Sequence, residues 1–79
     1  MDAENLVKMA NQIGDFFASF PDRAEALDGI AGHIRKFWAP RMREQLLAFV
    51  DASGAAAGLS PIVSEALSVH RQRFEERAA

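Results

Sequence analysis

The sequence predicts an all-α fold, a compact small bundle of three to four helices in a single domain, 1–79. Three observations carry this. Apolar residues recur at the 3.6-residue spacing of a helix nearly throughout. β-branched residues are scarce, and no stretch alternates apolar and polar side chains as a half-buried strand would. Pro21, Pro40 and Pro61 each stand at a break in the pattern, two of them beside a capping residue, Asp22 or Ser60. An apolar fraction of 49% and a charged share of 25% suit a folded chain. At 79 residues, however, one core yields only a few kcal/mol of net stability.

The first helix is expected over about 3–19, with Leu6, Met9, Ala10, Ile13, Phe16, Phe17 and Phe20 on one side. Three phenylalanines within five residues exceed what a thin core-facing stripe needs. Pro21 ends this helix, because it disfavours helical geometry in the residue before it. Asp22 then caps a second helix, 23–37, with Glu25 at its third position in a variant capping box. Leu27, Ile30, Ala31, Ile34 and either Phe37 or Trp38 face inward. Gly29 and Gly32 each cost about 1 kcal/mol inside a helix, so this face is expected to meet a neighbouring helix closely.

Pro40 fits the first turn of a third helix, 40–51, where its missing N–H costs nothing. Met42, Leu46, Phe49 and Val50 are its inward positions. "ASGAAAG", 52–58, reads as a flexible connector of small residues. Ser60 and Pro61 open a fourth helix, 61–76, as cap and first residue, with Ile62, Val63, Ala66, Leu67, His70 and Phe74 on its apolar side. Whether this helix closes its own bundle or rests on another chain is left open by the pattern.

Chemistry-bearing residues are sparse. There is no cysteine, which removes disulfides and thiolate metal sites and fits a cytoplasmic location. No run of about eighteen apolar residues occurs, so no membrane span is expected. His33 and His70 are the only imidazoles, without the three or four ligands a metal needs. Ser60, Ser64 and Ser68 share a helical face but have no base beside them. "GAAAG" lacks the strand and helix that make a nucleotide cradle. No catalytic, cofactor-binding or metal-binding residue is assigned.

Charge is unevenly placed. Residues 1–32 hold six acids against Lys8 and Arg23, whereas "HIRKFWAPRMR", 33–43, holds Arg35, Lys36, Arg41 and Arg43 with no acid. The whole chain is −2, and a general nucleic-acid binder is expected to be basic. Arg35 and Lys36 fall in a last helical turn, where the helix dipole favours cations. Arg41 and Arg43 fall in a first turn, where it does not. An acidic partner, a nearby carboxylate such as Glu44 or Asp22, or solvent alone would account for them. Trp38 serves as a corner residue between helices two and three, as an anchor in an interface, or as both, since tryptophan beside arginine is a common hot-spot composition. On helix one, Asn11 and Gln12 flank Ile13 and could donate to a partner's backbone, with Phe16 at the edge of the apolar face. Gly14 beside them is expected simply to be tolerated. These eight residues, Asn11, Gln12, Phe16, Arg35, Lys36, Trp38, Arg41 and Arg43, form the expected protein interface.

"NLVKMANQIGDFF", "FPDRAEALDGIAGHIRKFWAPRMREQLLAFVD" and "LSPIVSEALSVHR" together resemble the delta subunit of cytoplasmic NAD-dependent, molybdenum-containing formate dehydrogenases, over about positions 5–71. "MANQIGDFF" and "HIRKFWAPRMR" are its most specific parts. The resemblance implies a non-catalytic accessory subunit, associated with the alpha subunit and with assembly, cofactor insertion or stability of the complex. Molybdopterin guanine dinucleotide and iron–sulfur clusters would lie in that alpha subunit, and flavin and further clusters in the beta and gamma subunits. No cofactor is implied on this chain, and neither nucleic acid nor membrane is an implied partner. Two rival readings are a nucleic-acid-binding regulator using the 33–43 turn and direct binding of a pterin or nucleotide pyrophosphate there.

Overall fold

Helix α1, Ala3–Phe17, begins where Asp2 Oδ1 accepts from the Asn5 N–H at 2.8 Å. The computed structural model describes residues 2–76. α1 ends two residues earlier than the spacing suggested. The Ser19 hydroxyl donates to the Phe16 carbonyl and the Phe20 N–H to the Phe17 carbonyl, which closes the turn ahead of Pro21. α2, Arg23–Phe37, starts as expected, its first amides from Ala24 and Glu25 donating to Asp22 Oδ1. α3, Pro40–Ser53, has proline as its first residue.

The connector expected at 52–58 begins as the last residues of α3 and continues as a 3₁₀ turn, Gly54–Ala57. Gly54 and Gly58 have φ of 56° and 86°, a left-handed region open to glycine at little steric cost. Ala57 is buried, so this link packs onto the fold. The single helix expected over 61–76 is two, α4 (Pro61–Val69) and α5 (Arg71–Glu75), broken at His70 with φ −113° and ψ 29°. Ser60 occupies the capping position, but its hydroxyl makes no capping bond.

The core draws on every helix. Leu6 and Ala10 of α1, Ile30, Ala31 and Ile34 of α2, Leu46 of α3, and Val63 and Ala66 of α4 are wholly excluded from solvent, with Phe74 of α5 at 1%. The last two helices therefore close the bundle on their own chain: α4 lies against α1 and α2, and α5 against α2 and α3. Gly14 is what lets α1 and α4 approach. A Cβ there would lie 2.5 Å from Val63 Cγ2, so this glycine is required by packing and is more than tolerated. Gly29 plays the same part for α1 and α2, with Phe17 Cε1 2.4 Å from where its Cβ would be.

The result is a slab of 32 × 31 × 18 Å. A body this thin cannot bury both sides of an apolar arc as wide as that of α1. Leu6, Val7, Ala10 and Gly14 take the core, and Phe16 stays outside.

Candidate protein-docking groove

The uncovered part of that arc forms one wall of a groove of about 650 Å³. α1 supplies Met9, Gln12, Ile13, Phe16 and Phe17, and α2 supplies His33 and Phe37. Trp38 and Met42 lie at the corner between α2 and α3. None of these side chains is acidic. The rings form a continuous path. Phe16 meets Phe17 edge-on at 5.0 Å and Phe20 at 6.0 Å, Phe17 is 6.5 Å from His33, and His33 is 4.8 Å from Phe37. Such ring pairs hold one another in place, at about 0.5–1.5 kcal/mol each. Yet Phe16 and Phe37 are each 66% exposed.

Trp38 resolves the choice between itself and Phe37 as the inward residue. It is 6% exposed, at the end of α2, with extended backbone (φ −87°, ψ 142°). Ala39 is also extended (ψ 148°), as a residue before proline prefers. This kink carries the indole into the core and leaves Phe37 on the outer face. Lys36 Nζ sits 5.6 Å from the Phe37 ring centroid.

The eight residues expected at an interface separate into two sets. Gln12, Phe16 and Trp38 line the groove, with Lys36 beside it. Arg41 is exposed next to Met42. The other three are engaged within the chain. Asn11 Nδ2 donates to the Gly58 carbonyl at 3.0 Å, and its Oδ1 accepts from the Ser60 N–H at 2.8 Å, so it pins α1 to the start of α4. Arg35 pairs with Glu76, which holds that carboxyl below its ordinary range, first through the hydrogen bond and then through charge. Arg43 is 3% exposed and donates from Nη1 to the Arg73 carbonyl at 3.1 Å, while its Nε finds no partner among the described residues. The run of four cations thus forms no continuous basic face.

Elsewhere the exposed arginines have carboxylate partners. Arg23 meets Glu65 at 2.5 Å, Arg73 meets Asp28 at 2.7 Å, and Arg71 takes both oxygens of Asp51 at 2.9 and 2.7 Å. That fork holds the Asp51 carboxyl below its ordinary value and raises Arg71 further above its own. Lys36 and Arg41 form no ion pair among the described residues.

Sequence reasoning did not single out Met9, Ile13, Phe17, His33, Phe37 and Met42 as surface lining. The signal was the width of the α1 arc, which placed too many large side chains around one small core. Among the described residues no cluster of three or more His, Cys, Asp or Glu could hold a metal ion. No helix there is long and apolar enough to cross a membrane.

No curated protein and no solved structure matches the chain. A family model does, over residues 5–67, described as the NADH-dependent formate dehydrogenase delta subunit FdsD. The match takes in α2, α3 and most of α1 and α4, and with them every residue of the groove. The chain therefore belongs to the FdsD family, the delta subunit of NADH-dependent formate dehydrogenase, an accessory subunit that is not catalytic alone.

Proposed function

We propose that this chain docks on the molybdenum-bearing catalytic alpha subunit of a cytoplasmic NAD-dependent formate dehydrogenase and supports its assembly, cofactor insertion or stability. Beta and gamma subunits belong to the same complex. Molybdopterin guanine dinucleotide, iron–sulfur clusters and flavin stay with the partner subunits. The supporting observation is the ring-lined groove, with Phe16 and Phe37 two-thirds exposed on a chain that belongs to a subunit family. Apolar surface of this kind, rimmed by polar groups, marks an interaction site, and covering it removes it from water at about 25 cal/mol per Å². The groove offers aromatic and methionine side chains with one histidine, a composition suited to protein contact.

The test is to produce the formate dehydrogenase with and without this chain, then compare co-elution, molybdenum content and melting temperature. Co-elution is expected. Low molybdenum without the chain assigns it to insertion or retention of the cofactor, and normal molybdenum with a lower melting temperature assigns it to stability. Failure to co-elute, with both quantities unchanged, contradicts the reading.

A further inference from the structure

Resting on the docking reading above, we infer that the groove receives an apolar segment of the partner protein flanked by carboxylates, its large side chains laid on the rings and its acids against Lys36 and Arg41. The charge pattern carries this. Arg23, Arg35, Arg71 and Arg73 are exposed or half-exposed, and each holds a carboxylate of its own chain. Lys8, Lys36 and Arg41 hold none among the described residues, but Lys8 shares the start of α1 with Asp2 and Glu4, whereas Lys36 lies over the Phe37 ring at the groove and Arg41 is the exposed residue before the groove-lining Met42. No acid lines the groove to answer them. The missing carboxylates are therefore supplied from outside, together with the apolar cover that Phe16 and Phe37 lack.

A second copy of this chain is the poorer occupant. A two-fold contact sets the same patch against itself, which would bring cation-rimmed, acid-free surfaces together. The groove lies between helices, and an amphipathic helix laid in such a groove presents anchors three and four residues apart with charges beside them. Met9 and Met42 adapt their shape to such anchors, while the rings of Phe17 and His33 are held by neighbours on both sides.

The experiment replaces Phe37, and separately Phe16, with the photo-cross-linker p-benzoyl-phenylalanine in the assembled formate dehydrogenase and maps the attached peptide by mass spectrometry. Expected is one apolar segment of a larger subunit, with Asp or Glu within a turn of the cross-linked residue. Reversing charge with Lys36→Glu and Arg41→Glu is expected to weaken retention by about tenfold or more, with recovery when the mapped acids are changed to Lys. A cross-linked peptide without carboxylates, a link to a second copy of this chain, or a link to nucleic acid overturns the inference. Absence of any link while the chain stays bound overturns it too, and leaves the docking reading standing. If the unmodified chain never enters the complex, the docking reading falls with it.

Discussion

Phe74 and Phe37 are both phenylalanines near the end of a helix, and they meet opposite fates. Phe74 is 1% exposed, buried among α2, α3 and α4, whereas Phe37 is 66% exposed on the groove. The cations beside them repeat the contrast. Around α5, Arg71 and Arg73 reach carboxylates on α3 and α2, and Arg43 threads inward to the Arg73 carbonyl. Along the groove, Lys36 and Arg41 reach none among the described residues. Exposed ion pairs add little stability, a median near 0–1 kcal/mol. Their placement still shows that the cations around α5 are answered within the chain, whereas Lys36 and Arg41 are not and the rings of Phe16 and Phe37 stand exposed. The second pattern is the one the proposed docking surface carries.

Substitutions that exploit this contrast should differ most where burial differs most. Phe74→Ala is expected to cost about 3–5 kcal/mol, enough to unfold much of so small a domain, whereas Phe37→Ala should cost about 1 kcal/mol, the loss of its ring contact with His33. Denaturant titration of both variants checks this, and similar losses would mean that the groove rings are part of the core. Arg43→Ala should cost about 2 kcal/mol through its lost packing and hydrogen bond, and Arg41→Ala close to nothing. A smaller effect with an informative sign is expected at Gly14. Alanine there should destabilise by about 1–3 kcal/mol, against the gain of about 1 kcal/mol that helix propensity alone would give, because Val63 is fully buried and cannot yield.

The smallest effect concerns acid. Asp51 and Glu76 have carboxyls held below their ordinary values of 3.8 and 4.5 by Arg71 and Arg35. Their contribution is present above those ordinary values and disappears as pH falls through the lowered ones. The melting temperature should therefore be flat above about pH 5 and decline below about pH 4. Asp51→Asn should remove part of that decline.

The fold was readable because its punctuation is local. Prolines and Asp22 mark three of the helix starts, and the apolar period marks the core positions of α1 and α2. The break at His70 was not readable, since 63, 66, 67, 70 and 74 suit one straight helix. It arises from how α5 seats against α2 and α3, a tertiary matter. Asn11 and Arg43 failed to declare themselves for a similar reason. Their partners, Gly58 with Ser60 and the Arg73 carbonyl, lie 30 or more residues away along the chain. The groove was half legible. The surplus of phenylalanine on α1 indicated that something was left uncovered, but its second wall needed the α2–α3 kink that turns Trp38 in and Phe37 out.

The central claim is that the ring-lined side of the slab, and not the side built on α4 and α5, holds this chain on its enzyme. Its most direct test measures retention of the double variant Phe16→Glu, Phe37→Glu on the tagged catalytic subunit, beside Val69→Glu, which alters an equally bare apolar residue away from the groove. With melting temperatures of the isolated variants matched to the parent, the double variant should be lost from the complex and Val69→Glu kept. Equal retention of both would contradict the account.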